Sequence, residues 1–393
     1  DVGGERYADF TSGIAVVNTG HCHPHVVAAI QDQAARIIHA QANILAHSPM
    51  LRAAKLLTET TAPNLNQVFW TNSGAEATEG AIKLAKVATG RPAIIAFRHA
   101  FHGRTHAAMA VTSSRVKVRG HYEPLIPSVY HAPFPYLFRS PFKGAPEDAD
   151  LYYFAELEAL FDQMVMPDDV AGILIETVVG EGGYLVPTKR WLQMVRALCD
   201  KHGIMLILDE VQSGMGRTGK MWAYEHFDVV PDIMTAAKGL ASGMPVAAVV
   251  ADRALMDKWA PGSHGGTYGG NAVGTAAAAA TLEVMRDEDL PGSAARMGSI
   301  LIEGLREIQA DYPVIGDVRG LGLMVATEFV NPDGSPNPEA VKQVVARAFE
   351  DKTLLITCGT YDQAIRIVPP LVVNEEQIRD FLDVYRRAVA SVA

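Results

Sequence analysis

Five short apolar runs, at residues 67–71, 93–97, 172–176, 204–209 and 232–237, alternate with longer stretches of helical period. That alternation constrains the fold more than any other feature, because strands separated by helices make an α/β unit around a mainly parallel central sheet. The runs are apolar nearly throughout, as strands covered by helices on both faces must be. Several end in polar residues, which would collect along one edge of the sheet. From about Arg286 the texture changes to an amphipathic helix, one long glycine-punctuated strand (IGDVRGLGLMVATEF), a turn at 331–338, another helix and a short strand at 364–368. This second texture predicts a smaller α+β domain. The expected division is an N-terminal segment, 1–48, packing with the small domain, then a large domain, 49–285, and a C-terminal small domain, 286–393. At 393 residues and 49% hydrophobic content the chain can bury both cores.

The formal net charge is −10 with no Lys/Arg-rich run. That speaks against a nucleic-acid or anionic-membrane surface and for small soluble substrates. The most apolar long stretch, 272–285, falls short of the roughly 18–20 residues a membrane helix needs. Cys22, Cys199 and Cys358 lie far apart without a CxxC spacing, which argues against a disulfide framework or a thiolate zinc site and fits a reducing cytoplasm. The opening DVGGERYADF has no methionine and no apolar signal core, so part of the natural N-terminus is expected to be missing.

The run IMLIL ends in Asp209 and Glu210, and carboxylates at the end of a buried strand are costly unless a cation or a set of donors awaits them. A helix cap or ion pair would satisfy that need as well as a ligand would. The strand-like DIMTAA then delivers Lys238 to the same edge, where open α/β sheets bind their ligands. Alone, such a lysine reads as a surface residue. Paired with a strand-end aspartate it suits pyridoxal phosphate (PLP) chemistry, in which a lysine forms a Schiff base and a carboxylate keeps the pyridine nitrogen protonated.

TNSGAEATEGAIKLAK supplies a strand end, a turn and a helix start, where free N–H groups can hold a phosphate. Its Ser73 and Glu76 also match the capping box of helices that bind nothing. After 93–97 comes FRHAFHGRTH, in which Phe101 could stack on a planar ring and Arg104 could fork a carboxylate, or both could be loop packing. GMGRTG at 214–219 matches the dinucleotide fingerprint, but residues 209–213 separate it from its strand, which argues against a nicotinamide site. HCHPH at 21–25 looks metal-like, yet Pro24 interrupts it and nothing nearby completes a ligand set, so no metal is expected.

Taken in order, YADFTSGIAVVNTGH, NSGAEATEGAIKLAK, FHGRT, ETVVGEGG, GIMLILDEVQSGMGRTG, TAAKG, GGTYGGN, IGDVRGLG and IRIVPPL resemble the class III (subgroup II) aminotransferases of PLP fold type I, nearest their 4-aminobutyrate branch. The resemblance implies Lys238 as the Schiff-base lysine and Asp209 as partner of the pyridine nitrogen. It further implies phosphate binding by the backbone of Gly74 and Ala75, a ring sandwiched by Phe101 and Val211, and Gln212 at the phenolic oxygen. Thr267 would reach the phosphate of a neighbouring subunit, making a homodimer the minimum unit.

By the same resemblance, Arg104 would hold a distal carboxylate, Arg366 an α-carboxylate, and Glu181 would neutralise Arg366 when the donor lacks one. Ile14 would line the pocket. The implied reaction is ping-pong transfer of an amino group from an ω-amino acid such as 4-aminobutyrate to 2-oxoglutarate, with pyruvate as a possible acceptor. Related readings are a transaminase for ornithine, β-alanine or amines, or a PLP-dependent racemase or epimerase. From other classes, the rivals are a silent binding protein and a nicotinamide oxidoreductase. Where the common pattern is EPVQGEGG, this chain has Thr177, Val178 and Val179 between Glu176 and Gly180, beside the expected cofactor site, which puts specificity rather than reaction type in question.

Overall fold

The alternation folds into a seven-stranded sheet among the described residues. In chain order its strands are β1 (Gln67–Thr71), β2 (Ala93–Phe97), β3 (Val129–Ala132), β4 (Val170–Glu176), β5 (Met205–Asp209), β6 (Ile233–Ala236) and β7 (Ala247–Ala251). Their spatial order is β1-β7-β6-β5-β4-β2-β3. The structure, a computed structural model, describes residues 1–142 and 144–392. Two strands lie outside the predicted runs. β3 is a four-residue edge strand whose His131 interrupts its apolar character. β7, AAVVA, sits in an Ala/Val stretch where strand and buried helix have the same signal. β7 is antiparallel to both β1 and β6, whereas every other pairing in this sheet is parallel.

Helices cover both faces of the sheet. α1 (Pro24–Ala34) and α2 (Ser48–Thr58) precede it, followed by α3 (Gly74–Thr89), α4 (Lys189–His202) and α5 (Ala272–Asp287). α3 starts where Ser73 accepts a bond from the Glu76 N–H. Glu76 reaches back to the Asn72 N–H rather than that of Ser73, so the predicted capping box closes one residue early. α3 then lays Ala77, Ala81, Leu84 and Ala85 against the sheet and stops at Gly90, whose φ of 71° is left-handed. The alanine-rich face of α5 lets α1 and α2 approach closely.

The C-terminal part builds a second, four-stranded antiparallel sheet from β8 (Ile315–Leu321), β9 (Met324–Phe329), β10 (Ile356–Cys358) and β11 (Ala364–Ile367), in the order β10-β11-β9-β8. The single long strand predicted over 315–329 is therefore a hairpin. It turns at Gly322, where φ is +52° and a Cβ would collide with the Thr218 backbone. Three further helices, α6 (Leu290–Asp311), α7 (Pro338–Glu350) and α8 (Glu375–Ala390), complete this part. Ala8 and Asp9 pair in parallel with Thr353 and Leu354, and Phe10 stacks on Phe381 of α8 at 4.0 Å.

The glycine-rich GMGRTG segment ties the two sheets together. Its Arg217, fully buried, donates to the carbonyls of Leu323 and Pro369 and to Oδ1 of Asn18. The histidines of HCHPH point to three separate carboxylates: His21 to Asp9, His23 to Glu288 and His25 to Glu283, at 2.8–3.0 Å. Among the described residues no helix is long and apolar enough to cross a membrane.

Candidate active site

Parallel strands bring their carboxyl ends to one edge, and register decides which residues meet there. β4, β5 and β6 pair Glu176 with Asp209 and Asp209 with Thr235, so Lys238, just past β6, emerges beside both carboxylates. Because β7 runs the other way, its amino end brings Met244, Pro245 and Val246 to the same edge. Together they line a cavity of about 370 Å³ whose wall also includes Ser73, Gly74, Ala75, Phe101, Val211 and Gln212.

Asp209 is 4% exposed, with Oδ2 2.8 Å from Nδ1 of His102 and Oδ1 accepting from the Val211 N–H at 3.0 Å. An ionised carboxylate only accepts, so Nδ1 of His102 donates. The other ring nitrogen of His102 is buried without a partner among the described residues. Glu176 accepts from the Phe101 N–H at 2.7 Å and the Gly180 N–H at 2.9 Å, which fastens two loops around the cavity. Burial pushes its carboxyl up to about 7. Lys238 sits at φ +45°, a left-handed conformation costly for a residue with a side chain. Burial, followed by the Arg366 guanidinium, pulls its ammonium down to about 8. A neutral amine is the form that attacks a carbonyl, so this shift favours nucleophilic chemistry at neutral pH.

Glycine sets two of the close approaches. A Cβ on Gly74 would lie 2.9 Å from Val211, and one on Gly180 would lie 2.7 Å from Nε2 of Gln212. Gln212 is oriented by Tyr184, whose hydroxyl donates to Oε1 at 2.8 Å and leaves the amide N–H₂ free to donate elsewhere. The N–H groups of Gly74 and Ala75 open a 16-residue helix and have no carbonyl one turn earlier to bond.

Not every expected residue enters this wall. Glu181 and Arg366 pair with each other at 2.9 Å, with the Arg366 side chain 3% exposed. Arg104 is exposed, its guanidinium carbon 5.8 Å from the Phe101 ring centroid. Ile14 is exposed at φ 70°, in a turn that leads to cavity-lining Val16. Thr267 is exposed and lines a separate depression with Glu76 and Glu79.

The cavity meets the demands of pyridoxal phosphate one by one. A phosphate finds the free N–H groups at the start of α3, a protonated pyridine finds a buried carboxylate, and an aldehyde finds an amine of lowered pKa. A fold and cavity of this kind define a PLP-dependent enzyme. Residues 1–389 match the aminotransferase class-III family. The chain is 40% identical to a 5-aminovalerate aminotransferase of Pseudomonas putida, covering 100% of this chain and 91% of that protein. It is 41% identical to a 4-aminobutyrate aminotransferase of Escherichia coli, covering 98% and 89%. The crystal structure of taurine:2-oxoglutarate aminotransferase from Bifidobacterium kashiwanohense, in complex with PLP and glutamate, superposes with a TM-score of 0.93 at 31% identity, covering 100% of this chain and 90% of that one. The chain belongs to the class-III aminotransferases. It is a PLP-dependent transaminase of fold type I, acting on an amino donor and a 2-oxo acid.

Sequence reasoning passed over His102, Glu176 and Tyr184. His102 lies inside FHGRT and Glu176 is a polar strand end like Asp209, so both carried a signal. Tyr184 had none, since its contact with Gln212 spans 28 residues. The departure at Thr177 is explained by Glu210. The Thr177 hydroxyl donates to Oε1 of Glu210 at 2.7 Å, and Ser213, Ala223 and Tyr224 complete the bonds to that carboxylate. Burial pushes Glu210 up to about 7. Of these two neighbours, Thr177 and Glu210, neither lines the cavity, whereas Asp209 does.

Proposed function

We propose that this enzyme transfers the amino group of an ω-amino acid, 4-aminobutyrate or 5-aminovalerate, to 2-oxoglutarate by a ping-pong cycle. The observation that carries the reading is the pairing of the buried Arg366 with the half-buried Glu181 at 2.9 Å. A donor without an α-carboxylate needs Arg366 neutralised, and an acceptor with one needs it exposed, so an arginine held by a displaceable carboxylate serves both halves. The 5-aminovalerate and 4-aminobutyrate relatives support the donor class.

In this reading Lys238 would hold the cofactor and, as a neutral amine, would take up and give back the proton beside the donor nitrogen. Bound PLP supplies an electron sink for the charge left by that proton. Asp209 keeps the pyridine nitrogen protonated, with His102 orienting the carboxylate. Gly74 and Ala75 bind the phosphate, Phe101 and Val211 clamp the ring, and Gln212 donates to its phenolic oxygen. Arg104 takes the distal carboxylate beside Ile14. Thr267 lies outside its own chain's cavity, which suits a homodimer in which it completes the partner's phosphate site. The domain division at 49–285 and 286–393 places the cofactor groups on the first part and Arg366 on the second. The three unpaired cysteines suit a reducing cytoplasm.

Mixing the holoenzyme with either ω-amino acid in a stopped-flow spectrometer should bleach the visible band of the bound cofactor, and 2-oxoglutarate should restore it. A band that responds only to other amines would overturn the donor assignment. Arg366→Ala should lower kcat/KM for 2-oxoglutarate about 10²-fold or more, as expected for a buried charged contact worth 2–5 kcal/mol. The ω-amino acid half should fall by much less, and equal losses would refute the exchange between Glu181 and substrate.

A further inference from the structure

Glu181 does not face Arg366 alone. While Oε2 lies 2.9 Å from Nη2 of Arg366, Oε1 lies 3.5 Å from Nη2 of Arg115, whose side chain is 7% exposed. The other terminal nitrogen of Arg115 pairs with Asp362. Asp362 is held in turn by the Thr357 hydroxyl at 3.2 Å, and the Glu181 carbonyl accepts from the Gly359 N–H at 2.9 Å, so one loop fixes both carboxylates. Two guanidiniums and two carboxylates balance in this cluster.

An incoming α-carboxylate upsets the balance, because it brings a third negative charge to Arg366 and either bidentate approach to that guanidinium needs Nη2, the nitrogen that Glu181 holds. Nε and Nη1 of Arg366 are buried and have no acceptor among the described residues, so the fork has capacity for a substrate carboxylate. In its pair with Arg366, Glu181 is only 25% exposed. Leaving a carboxylate there without a cation is unfavourable. The second arginine is already within ion-pair distance of its other oxygen.

We propose that Arg115 is a positioning residue for acceptor specificity: it receives Glu181 when Arg366 binds the α-carboxylate of glutamate or 2-oxoglutarate. This rests on the reading of Glu181 and Arg366 given above. Arg115 touches neither substrate nor cofactor and acts through Glu181, setting how readily a dicarboxylate can displace it. Asp362 pairs with Arg115 from the opposite side.

The test compares Arg115→Gln, Arg115→Lys, Asp362→Asn and Arg366→Ala as holoenzymes. The readouts are kcat/KM of the glutamate and ω-amino acid half-reactions, and the Kd of glutarate, a dicarboxylate that binds without reacting, by calorimetry. Arg115→Gln should lower glutamate kcat/KM and raise the glutarate Kd, each by about tenfold or more, as loss of a close charge partner does. The ω-amino acid half should change less than about threefold, by the same reasoning that its carboxylate never displaces Glu181. Arg115→Lys should recover most of the glutamate loss. Asp362→Asn, which keeps the Arg115 cation, should preserve the ratio between the two halves. Equal losses in both halves for Arg115→Gln, or an Asp362→Asn variant that reproduces its selective loss, would reduce Arg115 to a structural tie and overturn the proposal. If Arg366→Ala is selective and Arg115→Gln is not, only the role of Arg115 falls. If Arg366→Ala itself harms both halves equally, the Glu181–Arg366 reading fails and takes this proposal with it.

Discussion

Lys238→Ala is expected to bind pyridoxal phosphate without a covalent link and to lose transamination by on the order of 10⁴-fold. Proton transfer by a positioned side chain is worth about 10²–10⁴-fold, and this variant also loses the group that exchanges the cofactor with the donor. The environment of Lys238 shows why no neighbour replaces it. The other titratable groups lining the cavity are Glu176, committed to the N–H groups of Phe101 and Gly180, and Asp209 and His102, committed to each other. Borohydride should tether the cofactor to the wild-type chain and leave Lys238→Ala unlabelled, while phosphate-site occupancy, read by cofactor release on acid treatment, stays near one per chain. Near-normal turnover in the variant would sink the assignment of Lys238.

Asp209→Asn should retain fold and cofactor and lower kcat/KM in both half-reactions by roughly 10²–10³-fold, the scale found when one preorganised electrostatic partner is removed. Asparagine can keep a hydrogen bond to Nδ1 of His102, either by presenting its oxygen to the N–H or by donating to the other tautomer. It carries no charge with which to hold a pyridinium proton in a site 4% exposed. The two halves should suffer alike, because the electron sink is used in both. That uniform loss contrasts with the selective loss expected at Arg366. A loss of cofactor affinity with unchanged rate constants would show that Asp209 anchors the ring without tuning it.

Much of the site was legible before any fold was available. Asp209 and Lys238 end apolar runs, and a polar group at the end of a buried strand must meet a partner. Ser73 and the following glycine announced a helix start, and α3 begins there. The strands β3 and β7 were not legible. One is short and polar at the edge, and the other lies in a stretch whose composition suits helix and strand equally.

The sequence by itself determined the layered α/β architecture, the edge at which chemistry would gather, and the lysine and aspartate that meet there. Those properties follow from local rules: apolar runs must be covered, and chain direction sends their polar ends one way. Only the tertiary structure decided what stands behind and around those residues. His102 meets Asp209 across 107 positions, Arg115 meets Asp362 across 247, and Arg366 reaches Glu181 from the second sheet. The antiparallel sense of β7, which closes the cavity with Met244, Pro245 and Val246, belongs to the same class. Such contacts arise from register and domain packing, which minimise unpaired buried charge over the whole molecule, and no short segment carries that sum.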